Sequence, residues 1–257
     1  MIDYKHIQAC FKEYTDAYNA DDPKIKLKID HTYRVAEFCV RIAKSISLSQ
    51  EEVDLAYLCG MLHDIGRFEQ VKRYNTFADA DSVDHAEFGA DLLFLENLYE
   101  RFMPVEDTDE YRKVRRLCEI AIRNHNKFRI AEGLSDFEQT LCNILRDADK
   151  IDILRVNYET PTEDIYNVTT EELKKAAVTD IVKACFDERR VVLRKDKQSC
   201  IDHIVGHICL VYELVYAESR IMTKEQGYLY KLMDFESENE DTKAFFAYMK
   251  AHKDEMI

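Results

Sequence analysis

The sequence has few residues that break helices, with 6 glycines and 3 prolines among 257 residues. This scarcity argues against a turn-rich β architecture and favours long helices with few interruptions. No stretch approaches the roughly 20 uninterrupted apolar residues of a membrane span. The first residues also lack the basic and then apolar pattern of a signal peptide. The sequence therefore predicts an all-α, cytoplasmic protein without a membrane partner.

Several recognition motifs are missing as well. The 8 cysteines form no Cys-x-x-Cys pair and lie mostly in apolar runs, which indicates buried, reduced thiols. The glycines form no dinucleotide-binding motif and no P-loop, and no serine or cysteine nucleophile motif is recognisable. The net charge of −14 makes nucleic acid an unfavourable partner, because nucleic acid binds basic surfaces. A small anionic substrate stays compatible, because bound divalent cations reverse the charge locally.

Apolar periodicity and capping signals divide the chain into predicted helices. In the first part these lie at about 2–19, 30–46, 49–64, 84–101, 109–126 and 135–156, with residues 67–83 as a loop, either without helix or with one turn of helix. Gly66 is predicted to cap the C-terminus of the third helix. In the last part the helices lie at about 170–187, 198–217, 219–233 and 241–255. No linker or repeat marks a boundary, so we expect one domain over residues 1–257, as a monomer or a homo-oligomer.

Four histidines lie at the ends or beginnings of core-facing helical stripes. An apolar run ends at His63 and Asp64, His31 begins a second stripe, His125 ends a third, and His85 lies in a first turn. A buried imidazole or carboxylate is costly without a partner, and a metal ion satisfies both. One such histidine is usually a hydrogen-bonded core residue, but four are harder to explain by packing. Nitrogen and carboxylate ligands without cysteine suit a catalytic site for Mn, Fe, Co, Ni or Zn.

A second aspartate completes the predicted cluster. Asp149 follows Leu145 by four residues, which tilts it toward the core of its helix. Asp147 neighbours Asn143 and Lys150 and is expected on a more polar side, so Asp149 is the predicted ligand.

With these residues in place, the chain resembles the HD-domain superfamily of metal-dependent phosphohydrolases. Five motifs carry the resemblance in the family's order: DHTYRVA at 30–36, LHDIGR at 62–67, DHAEFGA at 84–90, IRNH at 122–125 and RDADK at 146–150. The resemblance implies an all-α HD-domain helical bundle whose ligands converge in its middle. It places the metal-binding core at 25–156 and leaves 157–257 as a helical C-terminal extension packed on that core.

The resemblance also implies which residues bind metal. The minimal family pattern holds one divalent ion through residues that match His31, His63, Asp64 and Asp149. His85 and His125 match the second pair of the binuclear branches, in which Asp64 would bridge two metals (Mn, Fe, Co, Ni, Zn or Mg). The branch that cleaves cyclic dinucleotides carries two adjacent histidines and a Gly-Tyr-Pro. Here the chain has His-Asn-Lys-Phe at 125–128 instead, which disfavours that substrate class.

These residues predict a phosphohydrolase that cleaves a nucleotide or another small phosphate ester with a metal-activated water. Two cations about 3.5–4 Å apart would acidify a bridging water and stabilise both oxygens of an in-line displacement. Asp64 is then a catalytic residue as well as a ligand. Arg67 and Lys150 each neighbour a ligand and could neutralise phosphate charge, or could instead pair with a nearby acid.

Two alternatives share the same residue set. Some HD-fold enzymes with four histidines and two aspartates are di-iron oxygenases, which use iron and dioxygen on a polyol or phosphonate. A non-catalytic HD domain could instead keep the pocket for sensing a ligand. The intact ligand set disfavours this sensor, since a pure binding domain need not retain all six residues.

Overall fold

A computed structural model describes residues 2–161 and 168–257. The predicted all-α class is confirmed, since no β-strand occurs in this described part of the chain. Its α-helices are α1 (Tyr4–Thr15), α2 (Pro23–Ser45), α3 (Gln50–Leu62), α4 (Ile65–Tyr74), α5 (His85–Phe94), α6 (Tyr99–Phe102), α7 (Asp109–Asn124), α8 (Asp136–Glu159), α9 (Thr170–Lys175), α10 (Asp180–Asp187), α11 (Asp202–Ile208), α12 (Ala217–Gln226), α13 (Tyr228–Met233) and α14 (Glu240–Ala251). Short 3₁₀ helices occur at Asp79–Asp81, Arg194–Asp196, Cys209–Glu213 and Lys253–Glu255.

The chain divides into two compact units, Met1–Asp149 and Lys150–Ile257. Our expectation of one domain over 1–257, with a core at 25–156 and an extension at 157–257, stays a prediction. In the described helices, none is long and apolar enough to cross a bilayer. All eight cysteines are free and six of them are buried, as their apolar surroundings predicted.

Helix α3 lies at the centre of the first unit. The ten residues that close it, Val53 to Leu62, are all buried. A capping box at Ser49 starts the helix, as predicted, and Gly60 lets α2 approach it closely. A Cβ built on Gly60 would lie 2.5 Å from the Cα of Ala36, so only glycine fits between these two backbones. This contact holds the end of α3, where His63 is the C-cap, against the part of α2 that carries His31.

The start of α2 was predicted wrongly. The helix begins at Pro23 and not near residue 30, because Asp22 is its N-cap and accepts a hydrogen bond from the backbone N–H of Lys24. Proline suits the first position of a helix, where its missing N–H is no loss. The earlier start places Lys28 on the same helix as His31, one turn before it.

The role predicted for Gly66 was also wrong. Helix α4 begins directly at Ile65, so residues 65–74 are helical, and the rest of the predicted 67–83 loop contains the short 3₁₀ helix Asp79–Asp81. Gly66 serves packing instead, because a Cβ on it would lie 2.6 Å from the carbonyl oxygen of His85. Helix α4 can therefore touch the first turn of α5 through its backbone.

Several predicted helices are shorter or split. The helix expected over 84–101 ends at Phe94, and a separate α6 follows it. The one expected over 170–187 is two helices, and the one over 198–217 becomes α11 and a 3₁₀ helix. The 219–233 helix breaks at Gly227, whose φ of 72° ends α12. These breaks lie outside the residues that were predicted to bind metal.

Candidate metal centre

Each of the six predicted ligands lies in or caps a different helix, and the six meet in the first unit. Four of the histidines and Asp64 are buried, and the side chain of Asp149 is 15% exposed. The ligands lie mostly at helix ends, since His63 is the C-cap of α3, Asp64 the N-cap of α4, and His125 the C-cap of α7. His85 is the first residue of α5.

The carboxylate of Asp64 lies between two pairs of imidazoles. Its Oδ2 is 3.4 Å from Nε2 of His31 and 3.5 Å from Nε2 of His63. Its Oδ1 is 3.6 Å from Nε2 of His85 and 3.8 Å from Nε2 of His125. One carboxylate thus belongs to two groups of potential ligands, and each of its oxygens faces a different group.

Within each pair the imidazole nitrogens converge. The Nε2 atoms of His31 and His63 are 3.3 Å apart, and those of His85 and His125 are 3.0 Å apart. The rings of His63 and His125 join the two pairs, with 5.1 Å between their centroids. Nitrogen atoms this close, all directed at one carboxylate, are suited to share cations.

Asp149 adds a carboxylate to the first pair. Its Oδ1 is 3.2 Å from Nε2 of His31 and 3.8 Å from Nε2 of His63. Asp147, which the sequence analysis expected on a more polar side, is fully buried.

Three imidazoles are oriented by acceptors behind them. The Nδ1 atom of His63 donates to the carbonyl of Gly60 at 2.8 Å, and that of His125 donates to the carbonyl of Ile122 at 2.7 Å. The Nδ1 atom of His85 lies 2.8 Å from Oδ2 of Asp79. A proton held on Nδ1 leaves the Nε2 lone pair free for a metal, which is the usual arrangement around ligating histidines. The donor set therefore fits divalent cations.

Asp79 was missed by the sequence analysis, which placed it in a loop. It also accepts a 2.9 Å hydrogen bond from Nη1 of Arg67, which donates in addition to Gln70 and to the carbonyl of Phe77. The Nε atom of Arg67 lies 3.6 Å from Oδ1 of Asp64 and has no hydrogen-bond partner although it is buried. The guanidinium is thus anchored by one nitrogen, and its buried Nε faces the centre.

Lys28 is the second residue that was missed. Its Nζ donates to Oδ2 of Asp64 at 2.5 Å, and its side chain is only 13% exposed. The available signal was its position three residues before His31, which places both on neighbouring positions of one helix face. The misplaced start of α2 hid that signal.

Lys150, predicted beside Arg67 as a catalytic cation, has a carboxylate partner. Its Nζ donates to Oε2 of Glu213 at 2.7 Å. Of the two interpretations that the sequence left open, this contact matches the ion pair with a nearby acid.

The charges around the centre favour metal binding. Burial opposes ionisation of Asp64, but Lys28 and the neighbouring His63 hold the pKa of this carboxyl well below its usual range. Burial lowers the pKa of His125 to about 3, and the nearby imidazoles of His85 and His63 act in the same direction. Burial likewise lowers the pKa of His85. Ionised carboxylates and neutral imidazoles are the forms that bind metals.

The comparisons with known proteins agree with this geometry. The HD domain family matches residues 29–154, a stretch that contains all six predicted ligands. Residues 29–154 therefore belong to the HD-domain superfamily, and their all-α helical structure agrees with its helical bundle. HD domains bind divalent metals, and most members of the family are metal-dependent phosphohydrolases. Neither the search of curated proteins nor the search of solved structures gave a match.

Proposed function

We propose that the chain is a phosphohydrolase that cleaves a nucleotide or another small phosphate ester at a binuclear metal centre. The observation that carries this proposal is the carboxylate of Asp64, whose two oxygens face two different histidine pairs. His31, His63 and Asp149 would hold one cation with Oδ2. His85 and His125 would hold the other with Oδ1. A site for a single ion needs no second pair of histidines.

Two bound divalent cations would supply an acidified water and stabilise both oxygens of an in-line displacement. The protein supplies orientation and charge around them. Asp64 sets the distance between the two histidine pairs, and the acceptors behind His63, His85 and His125 fix their rings. The substrate phosphate would accept hydrogen bonds from Arg67, whose buried Nε faces the centre without an acceptor. A charge-assisted bond from a preorganised guanidinium stabilises charge that develops on the phosphate.

The catalytic role of Lys150 stays a prediction. Its ammonium is paired with Glu213, so a phosphate would have to replace that carboxylate.

Metal analysis of the purified protein tests the proposal first. We expect about two divalent ions per chain, lost on chelation. A panel of nucleotides and phosphate esters then follows, with Mn, Fe, Co, Ni, Zn or Mg returned singly to chelated protein. The variant Asp64→Ala should lose at least about a thousandfold in turnover, since it removes a ligand from both cations. His6→Ala is the matched control, because His6 is exposed and outside the centre.

Two results would contradict this function. Full hydrolytic activity in Asp64→Ala would exclude a two-metal mechanism. Tightly bound iron, with dioxygen consumption on a polyol or phosphonate and no ester hydrolysis, would identify the oxygenase alternative instead.

A further inference from the structure

Lys28 places a positive charge directly on the carboxylate that joins the two histidine pairs. Its Nζ lies 2.5 Å from Oδ2 of Asp64, and the two side chains are 13% and 3% exposed. The charge of a lysine this far from solvent interacts strongly with its neighbours, because water screens it little. Asp64 is the one carboxylate that pairs with Lys28 in the described part of the chain.

The contact is specific for one half of the centre. Oδ2 is the oxygen that faces His31 and His63, whereas Oδ1 faces the other pair and the Nε atom of Arg67. A divalent ion on the first pair would therefore use the oxygen that already accepts from Lys28. Like charges at such a distance repel, so metal and ammonium compete for Oδ2.

Lys28 and Arg67 are held very differently. Arg67 is fixed by three hydrogen bonds from Nη1, to Gln70, Phe77 and Asp79. Besides Asp64, Lys28 has only the ring of Phe77 as a described contact, with Nζ 5.4 Å from the ring centroid. The guanidinium carbon of Arg67 lies 5.6 Å from the same centroid. An ammonium on a flexible stem that is held by one carboxylate can change partners, and it would do so beside a fixed guanidinium.

We propose that Lys28 changes partner from Asp64 to the substrate phosphate when the first histidine pair binds its metal. This inference rests on the function proposed above and adds a phosphate-binding residue to it. Lys28 then has two opposite effects. It weakens metal binding at the first pair, and it strengthens phosphate binding once that metal is present. The net result couples metal loading to capture of an anionic substrate.

Calorimetric titration of Mn²⁺, followed by inorganic phosphate on the Mn²⁺-loaded protein, tests the inference without turnover. We expect Lys28→Met to bind the first Mn²⁺ about tenfold more tightly and phosphate about tenfold more weakly. Lys28→Gln, which keeps a hydrogen-bond donor to Asp64 without the charge, should show the same pair of shifts. Lys28→Arg should keep phosphate affinity within about threefold of wild type. Lys24→Met is the control on the same helix, since the Nζ of Lys24 donates to Asn75, which is not one of the predicted metal ligands.

Stability adds a further measurement. Lys28→Met leaves Asp64 without its cation, so Mn²⁺ should raise the melting temperature of this variant more than that of wild type. The inference would be overturned if Lys28→Met bound Mn²⁺ and phosphate as wild type does, or bound both more weakly. Tighter Mn²⁺ binding would exclude a purely structural role, because a structural defect does not tighten metal binding.

The failure of this inference is separable from the failure of the proposed function. A wild-type protein that binds no Mn²⁺ would overturn both. The function alone would be overturned by two results together: Lys28→Met shows the expected opposite shifts of Mn²⁺ and phosphate affinity, and the wild-type protein hydrolyses no ester.

Discussion

Replacing Asp79 by asparagine should weaken one of the two metal sites and leave the other nearly intact. The structure uses both oxygens of this carboxylate. Oδ2 lies 2.8 Å from Nδ1 of His85, and Oδ1 accepts from Arg67 at 2.9 Å and from Gln70 at 3.1 Å. Burial opposes ionisation of Asp79, but the hydrogen bond from His85 and the charge of Arg67 hold the pKa of this carboxyl well below its usual range, so the group is ionised. Asparagine keeps the shape but has one acceptor oxygen and no charge.

The expected size follows from this count of acceptors. In Asp79→Asn, either His85 or Arg67 must face an amide NH₂ group. Loss of a partner behind a ligating histidine typically costs 10- to 100-fold in metal affinity, or about 1.4–2.7 kcal/mol. The loss should fall on the site formed by His85 and His125, because the carboxylate of Asp79 lies directly behind His85, 2.8 Å from its Nδ1 atom. The first site should change by less than about threefold.

Calorimetric titration with Mn²⁺ resolves the two sites and gives both affinities. The matched control is Asp81→Asn, in the same 3₁₀ turn, where the side chain is exposed and contacts no ligand. Equal affinities in Asp79→Asn and wild type would refute the orienting role. An equal loss at both sites would refute the division of the centre into two halves.

Three further predictions follow from the same contacts. The free energy of unfolding of chelated protein should fall by about 2 kcal/mol between pH 6.5 and 5. Urea titrations at each pH measure this loss. It arises because His125 takes up a proton near pH 6.5 in the unfolded protein and only near pH 3 in the folded protein. Gly66→Ala should cost about 1–3 kcal/mol in the same assay and weaken Mn²⁺ binding, since the new Cβ meets the backbone of His85. Lys150→Met should lower kcat/KM for phosphate esters about tenfold if Lys150 reaches the substrate, and unchanged kinetics would limit it to its pair with Glu213.

The residues of the candidate centre could be singled out because each is tied to a local sequence signal. The apolar run that ends at His63 and the capping residue Asp84 before His85 are visible without tertiary information. The order of the five motifs then indicated that these residues form one site, which periodicity alone does not indicate.

The residues behind the ligands were less accessible to sequence analysis. Asp79 lies in a segment without apolar periodicity, and its importance comes only from the fold, which brings it to His85 and Arg67. Lys28 was hidden by one local error, the predicted start of the second helix near residue 30, whereas Asp22 and Pro23 begin that helix. The same two residues can end one helix or begin the next, and the choice depends on packing that the sequence does not display.

Apolar periodicity indicated which histidines and aspartates lie at the buried ends of helices. It could not indicate that these side chains meet at one place. His63, Asp64, His85 and His125 occupy terminal or capping positions, where a side chain is no longer confined to the stripe of its helix. Convergence then depends on how closely the helices approach. Gly60 sets this approach between α3 and α2, which bring His63 to His31, and Gly66 sets it between α4 and α5, which bring Asp64 to His85. Two residues without side chains therefore permit both close contacts. A helix pair forced apart by one methyl group would keep every ligand and still lose the centre.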